Sequence, residues 1–406
     1  MVVYLDHAAT TPLRPEAREA WLEASAAVGN PSSIHTAGQS ARRSLEEARE
    51  RLAVALDCDA VEVVFTSGGT ESINLALKGL FWARRTVDAA RTGIVVPMGE
   101  HHATLDAVEW LEKHEGAVLR WPELDELGRL SLVAWNDSLD DRVALATMLA
   151  ANNEVGTLQP VLEAARACAR AGVPMHLDAV GTFGHADVSF RGIRNAQLSA
   201  SEGSANAATG GLAAMSVSAH KIGGPAGIGA LVVSREAVVT PLVHGGGQQR
   251  GLRSGTQDVA GAVAFAVAAE LAVAERDAEA ARLGALRDDL AARVLAAVPH
   301  ASLNGDPVER LPGNAHFSFP GAQGDSLLLM LDLAGVAAST GSACQAGVPD
   351  PSHVLLAMGR DDDAARSVLR VTLGRDTVPA DVDAFVAAIP EAYDRARRAG
   401  MARREV

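Results

Sequence analysis

Short apolar runs rich in β-branched residues alternate with segments of helical periodicity, and this alternation constrains the fold more than any other feature of the sequence. The runs predict strands at Val61–Thr66, Gly93–Pro97, Val143–Leu149, Val173–Asp178, Ala214–Ser218 and Ile228–Val233. The intervening segments predict helices at Pro15–Val28, Ala41–Asp57, Glu71–Arg85, Ala103–Glu115 and Pro160–Ala171. Such alternation is typical of βαβ units, so we expect an α/β protein with a mainly parallel sheet.

At 406 residues the chain exceeds the roughly 250–300 residues at which a single core stops growing, so we expect two domains. An Ala-rich helical stretch, Val259–Ala297, precedes a shorter alternation of strands and helices. Those later elements are predicted at Asn314–Phe319, Asp325–Leu333, Arg370–Leu373 and Asp381–Arg398. We therefore predict a large domain over residues 1–257 and a smaller α/β domain over 258–406, with the arm 1–14 packing on the smaller one. The stretch Arg191–Gly211, rich in Ser, Ala, Asn and Gly, predicts a flexible surface loop.

Charge and cysteine content narrow the function classes. The net charge of −14 argues against nucleic acid as a direct partner, since duplex binding depends on neutralising phosphates. The longest apolar run, Ala260–Ala269, is shorter than the roughly 18 residues that a membrane span needs. The three cysteines cannot form an even disulfide framework and fit no zinc spacing. We expect a cytoplasmic protein with no membrane partner and no resident metal.

Lysine is scarce, since the sequence holds only Lys78, Lys113 and Lys221. Arginine supplies almost all other positive charge, but a guanidinium stays protonated and cannot form a Schiff base. Lys78 and Lys113 lie within helical patterns, whereas Lys221 follows a predicted strand and precedes a glycine turn. Lys221 is therefore the candidate for covalent chemistry, and a surface lysine is the alternative.

Other chemistry-bearing residues follow neighbouring strands, where α/β proteins bind ligands. Ser67-Gly68-Gly69-Thr70 joins a strand to a helix, so it is either a phosphate site or a plain turn with a capping Thr. Asp178 ends its strand and either pairs with a cofactor nitrogen or caps a helix. His101 could stack on a flat ring or move protons, and Asn153 follows another strand.

Two further candidates lie in the C-terminal part. Cys344 stands in a loop of small polar residues, where a thiol is accessible, whereas Cys168 lies in an Ala-rich helix. Arg370 begins a strand and could bind a carboxylate in bidentate fashion, with Arg375 as the competing candidate.

The sequence resembles the NifS/IscS-type cysteine desulfurases of the class V aminotransferase family over nearly its whole length. The matching motifs are Tyr4-Leu5-Asp6-His7-Ala8-Ala9-Thr10-Thr11, Gly29-Asn30-Pro31-Ser32-Ser33, Ser67-Gly68-Gly69-Thr70-Glu71-Ser72, Asn152-Asn153-Glu154-Val155-Gly156, His220-Lys221, His244-Gly245-Gly246-Gly247, Arg253-Ser254-Gly255-Thr256 and Gly341-Ser342-Ala343-Cys344. The resemblance implies a homodimer of the pyridoxal-phosphate (PLP) transferase fold type I, with a seven-stranded sheet in the large domain. It also implies conversion of L-cysteine to L-alanine, with the sulfur left on Cys344 as a persulfide for an acceptor protein of iron–sulfur cluster or thio-cofactor and tRNA-thiolation biosynthesis.

The resemblance also implies a role for each matching residue. Lys221 would carry PLP, His101 would stack on its ring and transfer protons, Asp178 would pair with the ring nitrogen, and Asn153 would approach the ring hydroxyl. The phosphate would be held by Gly69, Thr70, Ser218, His220 and the partner subunit's Thr256. Asn30 and Arg370 would bind the substrate carboxylate. Cys344 would accept sulfur and could transiently ligate an iron–sulfur cluster.

The chain departs from the family pattern at three places. Gly181 stands where the family has a Gln that donates to the ring oxygen of PLP, and Ala219 replaces a Gly before His220-Lys221. The Arg191–Gly211 stretch is longer than the family's connection. Two rivals stay open: another class V enzyme, such as an aminotransferase or a selenocysteine lyase, and a non-catalytic sulfur-transfer scaffold.

Overall fold

A computed structural model describes residues 2–199, 210–341 and 350–404. The helices are α1 Pro15–Ser25, α2 Thr36–Leu56, α3 Gly69–Val87, α4 His102–Glu115, α5 Leu132–Asp137, α6 Val161–Ala171, α7 Phe190–Ser199, α8 Val259–Ala297, α9 Gly324–Leu333, α10 His353–Ala357, α11 Asp362–Arg366 and α12 Pro379–Arg404. The strands are β1 Val3–Tyr4, β2 Val63–Thr66, β3 Gly93–Val95, β4 Val118–Arg120, β5 Val143–Leu149, β6 Pro174–Asp178, β7 Gly211–Ser218, β8 Gly229–Val233, β9 Ser302–Asn304, β10 Asn314–Ser318, β11 Val336–Ala337 and β12 Val368–Thr372. No helix in these described ranges has both the length and the apolar character to cross a membrane.

Seven strands form the large sheet, in the order β2-β8-β7-β6-β5-β3-β4. Strand β8 is antiparallel to both of its neighbours, and every other adjacent pair is parallel. Both faces of this sheet are covered by apolar residues. Phe65 packs into one apolar core, and the preceding residue, Val64, packs into another. The predicted α/β class and mainly parallel sheet are confirmed. The carboxyl ends of β5, β6 and β7 consequently share one edge.

A second, three-stranded antiparallel sheet, β12-β10-β9, has its own apolar core around Phe317, Leu327 and Phe385. The 39-residue helix α8 belongs to both parts of the molecule. Its first half packs on the large sheet through Phe265, and its second half packs on the small one through Leu290. The domain boundary near Asp258 stays a prediction.

The N-terminal arm runs from the small part of the molecule to the edge of the large sheet. Strand β1 pairs with β11 in parallel, and Leu5 is fully buried in the second core. The backbone N–H of Thr11 then donates to the carbonyl of His220. The arm therefore brings residues 6–11 next to the strand end that carries Lys221.

The expectation of a flexible loop from Arg191 to Gly211 is wrong at both ends. Residues up to Ser199 form α7, because Phe190 anchors the helix in the core and α7 packs on α6. Gly211 begins β7, where the Gln197 side chain accepts a hydrogen bond from the N–H of Leu212 (2.8 Å). The composition concealed this helix because its contacts are with distant parts of the chain: Arg194 and Gln197 bond to the backbone of Leu212, and Arg191 pairs with Asp59. Residues 200–209 lie outside the described part of the chain.

Candidate active site

A cavity of about 300 Å³ lies at the carboxyl edge of the large sheet. Seven of the residues singled out in the sequence line it: Gly69, Thr70, His101, Asn153, Asp178, His220 and Lys221. The opposite wall comes from the second part of the molecule, through Leu283, Leu311 and Pro312. The strand-end residues therefore converge as expected, although Gly69 and Lys221 are 152 positions apart.

Lys221 closes a short 3₁₀ turn, Ala219–Lys221, that follows β7. Its Nζ donates hydrogen bonds to the carbonyls of Ala8 and Ala9. Burial and the like charge of Arg370 lower the Lys221 pKa to about 8, although Asp178 opposes the shift. Because a Schiff base forms from the neutral amine, this lowered pKa favours covalent capture of an aldehyde near neutral pH.

Asp178 ends β6 and is only 2% exposed. Its Oδ1 accepts a hydrogen bond from the backbone N–H of Val180 at 2.9 Å. Burial raises the Asp178 pKa to about 6, against that hydrogen bond and the charge of Lys221. A buried carboxylate of this kind has the chemistry to hold a protonated ring nitrogen.

The turn before α3 forms a cradle for an anion. Gly68 has φ +153°, a conformation that side-chain-bearing residues rarely adopt, and it caps a helix whose first N–H groups have no partner inside the helix. The nearest atom to a Cβ placed on Gly68 would be the Ser218 hydroxyl oxygen, at 3.9 Å. That oxygen is buried and has no hydrogen-bond partner among the described residues. The N-terminus of α3 and the free hydroxyl together suit a phosphate group.

His101 stands before α4 and caps it, because its Nδ1 accepts a hydrogen bond from the N–H of Ala103 at 3.1 Å. Burial and the nearby charge of Lys221 lower the His101 pKa to about 4. The ring is therefore neutral at physiological pH, and its Nε2 remains available to the cavity for proton transfer.

Asn153 lines the cavity, and Arg370 contacts it from outside that lining. Arg370 donates from Nη1 to the Asn153 carbonyl at 2.9 Å and pairs through Nη2 with Asp6 at 3.1 Å. The Asn153 Oδ1 and the Arg370 Nε are buried and unpartnered within the described ranges, so both groups retain hydrogen-bonding capacity. Arg375 pairs instead with its neighbour Asp376, which favours Arg370 of the two candidate carboxylate binders.

Four predicted residues in the described part of the chain do not line the cavity: Ser218, Arg370, Asn30 and Thr256. Asn30 is exposed and uses its side-chain oxygen for a turn with the N–H of Ser32. Thr256 is also exposed, in a loop that Arg253 ties to Glu71 by an ion pair of 2.8 Å. Cys344 lies outside the described residues.

Two histidines that line the cavity, His7 and His185, were not predicted from the sequence as site residues. His185 holds the lysine turn through a 3.0 Å contact of its Nε2 with the Lys221 carbonyl. Its position seven residues after Asp178 could have drawn attention to it. His7 belongs to a quoted motif, but only the arm's path brings it to the sheet edge.

Gly181 also lines the cavity, and no atom of the described residues lies within 4 Å of a Cβ placed there. The side chain that the family carries at this position would therefore meet open space. The departure removes a possible hydrogen-bond donor without a compensating residue filling its place.

The fold and site are those of an α/β enzyme with a lysine at a strand end, facing a buried acid and an anion cradle. The aminotransferase class-V family model matches residues 3–385. The chain belongs to that family.

Within the family, the chain is most informatively compared with cysteine desulfurases. It is 49% identical over 405 residues to an IscS-like cysteine desulfurase of Mycobacterium tuberculosis, covering 99% of this chain and 98% of that relative. It is 37% identical to cysteine desulfurase IscS of Clostridium botulinum, covering 97% and 95%.

Solved structures agree with this grouping. A NifS-like protein superposes with a TM-score of 0.85 at 32% identity, covering 97% of this chain and all of the other. A NifS-like protein of Rickettsia africae gives a TM-score of 0.83 at 27% identity, covering 97% and 100%. A third structure, SspA in complex with cysteine, gives 0.74 at 27% identity, covering 92% and 99%.

Proposed function

We propose that the chain is a PLP-dependent cysteine desulfurase that converts L-cysteine to L-alanine and transfers the sulfur to Cys344. The observation that carries the proposal is that Lys221 and Asp178 line one cavity, with the unpartnered Ser218 hydroxyl beside the glycine turn that borders it, in a chain whose relatives are cysteine desulfurases. The cysteine-bound SspA structure supports L-cysteine as the substrate.

The residues fit PLP at each of its functional groups. The N-terminus of α3, with Gly69, Thr70, Ser218 and His220, suits the phosphate, and the unpartnered Ser218 hydroxyl is the strongest sign of it. Asp178 suits the ring nitrogen, Asn153 the ring hydroxyl, and Lys221 the aldehyde. In a homodimer, the partner subunit's Thr256 would complete the phosphate site.

Bound PLP would supply an electron sink for the charge that develops at the substrate Cα. The Lys221 amine, about a tenth of it neutral at pH 7 with a pKa of about 8, takes the Cα proton and later returns one. Asp178 would pair with the ring nitrogen, and the neutral His101 would move a proton at the substrate thiol. Arg370 binds the substrate carboxylate through its free donor, with Asn30 as a second proposed contact.

In the sulfur-transfer step, the Cys344 thiolate attacks the substrate sulfur. A sulfur–sulfur bond forms and the substrate Cβ–S bond breaks, with its electron pair left on carbon, which takes up a proton to give alanine. The persulfide then passes to an acceptor, for which we propose an iron–sulfur scaffold or a thiolation enzyme in the cytoplasm.

Purified protein supplied with PLP, L-cysteine and a thiol reductant should release alanine and sulfide in equal amounts. The Lys221→Ala protein should lose the yellow colour of bound PLP. Borohydride reduction should also no longer attach the cofactor to the peptide that contains position 221. Lys78→Ala is the matched control, because Lys78 lies over the Trp110 ring, away from the cavity, and its loss should change neither property.

Cys344→Ala should lower turnover about a hundredfold or more, since it removes the nucleophile, whereas Cys58→Ala should keep it. A Cys344→Ala protein of full activity would contradict the persulfide step and favour a lyase. A colourless wild-type protein without turnover would favour the sulfur-transfer scaffold.

A further inference from the structure

The N-terminal arm is fixed to β12 at Thr372. The backbone N–H of Thr372 donates to the Leu5 carbonyl at 2.8 Å, and its hydroxyl accepts from the N–H of Ala8 at 2.9 Å. Asp6 lies between these two contacts and forms a parallel bridge with Thr372. Arg370 is two residues before Thr372 and so lies on the same face of β12. The arm therefore brings the Asp6 carboxylate within reach of the Arg370 side chain.

Two side-chain contacts set the orientation of the Arg370 guanidinium. The Arg370 backbone is already fixed, because its N–H donates to the Ser339 carbonyl at 2.6 Å and its carbonyl accepts from the Ser339 N–H at 3.1 Å. The guanidinium is planar and carries five N–H donors. Nη1 donates to the Asn153 carbonyl at 2.9 Å, and Nη2 donates to Oδ1 of Asp6 at 3.1 Å. These contacts come from two different segments and hold the plane in place, while Nε is buried without a partner among the described residues.

Asp6 is itself held in place by its backbone. The Asp6 carbonyl accepts hydrogen bonds from the Tyr4 hydroxyl at 2.9 Å and from the N–H of Ala9 at 3.0 Å. The Arg370 side chain is only 7% exposed, and Asp6 is its ion-pair partner in the described part of the chain. A guanidinium buried to this extent is costly without a nearby carboxylate. Asp6 therefore determines both where the Arg370 charge lies and how much of it neighbouring groups experience.

The same arm reaches Lys221, whose Nζ donates to the carbonyls of Ala8 and Ala9. Burial lowers the Lys221 pKa most, the Arg370 charge lowers it further, and the Asp6 charge raises it. Asp178 also raises the Lys221 pKa, and three histidines close to Lys221 have their own pKa lowered, mainly by burial and further by charges that include that of Lys221: His101, His185 and His220. Asp6 thus offsets part of the Arg370 charge at the lysine.

We propose that Asp6 is a positioning residue that fixes the Arg370 guanidinium for the substrate carboxylate and offsets its charge beside the Lys221 amine. The inference rests on the proposed function, in which Arg370 binds that carboxylate and Lys221 carries the cofactor. Asp6 does not line the cavity, so it acts through these two residues. Asp6→Asn keeps an oxygen that can accept from Nη2 but removes the charge, whereas Asp6→Ala removes both. The two effects of Asp6 can therefore be measured separately.

The charge effect is tested on the PLP-free protein by trace acetylation with acetic anhydride at a series of pH values, with the peptides quantified by mass spectrometry. In Asp6→Asn the pH of half-maximal reaction at Lys221 should fall by about 0.5–1 pH unit, because a negative charge near the ammonium is lost. A site that had merely loosened would give the opposite change, since burial is the largest cause of the low Lys221 pKa. Lys78, over the Trp110 ring, serves as the internal reference in every sample.

The orientation effect is tested on the PLP-loaded enzyme by steady-state kinetics with L-cysteine at pH 9, where the Lys221 amine is largely neutral in every variant. Asp6→Ala should raise KM at least about tenfold with kcat within about threefold of wild type, because the guanidinium loses one of the two contacts that orient it. Asp6→Asn should keep KM within about threefold of wild type, since its oxygen still accepts from Nη2.

Asp140→Asn is the matched control, because Asp140 pairs with Arg120 at 3.0 Å before the amino end of β5, at the opposite edge of the sheet from the cavity. It should match wild type in both experiments. An unchanged or higher pH of half-maximal reaction at Lys221 in Asp6→Asn would overturn the inference, as would a wild-type KM in Asp6→Ala. A wild-type enzyme that binds no PLP or releases no alanine from cysteine would instead overturn the proposed function, whereas the acetylation of the PLP-free protein would still decide the charge effect.

Discussion

Ser218 ends β7 with a hydroxyl oxygen that is buried yet unpartnered among the described residues. Burying a hydroxyl without a hydrogen bond costs free energy, so the folded protein alone does not explain its presence. Its position beside Gly68 and the N-terminus of α3 gives it a use in holding an anion. A substitution of Ser218 can therefore test cofactor binding separately from the stability of the fold.

We expect Ser218→Ala to leave the free energy of unfolding of the PLP-free protein unchanged or slightly higher, since it removes an unsatisfied group. The same change should weaken PLP binding about tenfold, because one hydrogen bond to a charged phosphate is lost. Denaturant unfolding and a fluorescence titration with PLP measure the two effects. Thr104→Val is the control, as Thr104 also carries a buried hydroxyl without a partner in the described chain, but it lies on α4, and of the described atoms only the Ser218 hydroxyl oxygen lies within 4 Å of a Cβ placed on Gly68. Wild-type PLP affinity in Ser218→Ala would exclude the phosphate role.

Helix α7 illustrates at the scale of elements what composition could and could not predict. Its residues read as a loop because Ser, Ala, Asn and Gly dominate the stretch that follows it. The helix depends on partners distant in sequence, since Phe190 packs in the core and Arg191 pairs with Asp59 at 2.8 Å. Strand β5 was predictable from sequence because all seven of its residues are buried, which leaves an apolar run broken only by Thr147.

The contribution of the contact between α7 and β7 to stability can be measured by substituting Gln197. Gln197→Ala leaves the buried N–H of Leu212 without its acceptor, so we expect the free energy of unfolding to fall by about 1–3 kcal/mol. Urea unfolding followed by circular dichroism measures the change. Gln39→Ala, which removes an exposed side-chain bond to the Ile34 carbonyl, should change it by less than about 0.5 kcal/mol. If the two variants have the same free energy of unfolding, the contact of α7 with the start of β7 does not stabilise the fold.

At the scale of the whole molecule, some site residues could be predicted from the order of the strands alone, whereas others could be placed only with the complete fold. Lys221 and Asp178 were predictable because parallel strands bring their carboxyl ends to one edge. The contacts of Ala8 with Lys221 and of Glu154 with Ser352 join residues about 200 positions apart, and no local periodicity encodes them. The same long-range packing also buries titratable groups, which ties the stability of the whole fold to pH.

His176 is a buried group of this kind, in the middle of the large sheet. Its Nδ1 lies 2.9 Å from the Thr147 hydroxyl on β5 and its Nε2 lies 2.8 Å from the Ser216 hydroxyl on β7, so it links three strands. Burial lowers its pKa from 6.5 to about 3. Below pH 6.5 the unfolded chain therefore binds a proton that the folded protein does not, and stability falls as the pH falls towards 3.

His176→Gln removes that proton linkage. We compare the free energy of unfolding of the variant with that of wild type at pH 7 and at pH 5. This difference should shift by about 2 kcal/mol in favour of the variant as the pH falls from 7 to 5, whatever its value at pH 7. The reason is that, well below the unfolded pKa, each pH unit lowers the free energy of unfolding of wild type by about 1.4 kcal/mol. Urea unfolding of the PLP-free proteins at each pH measures this difference. His300→Gln, at an exposed position, serves as the control. A difference between wild type and His176→Gln that stays constant over this range would mean that His176 takes up its proton in the folded sheet as readily as in the unfolded chain.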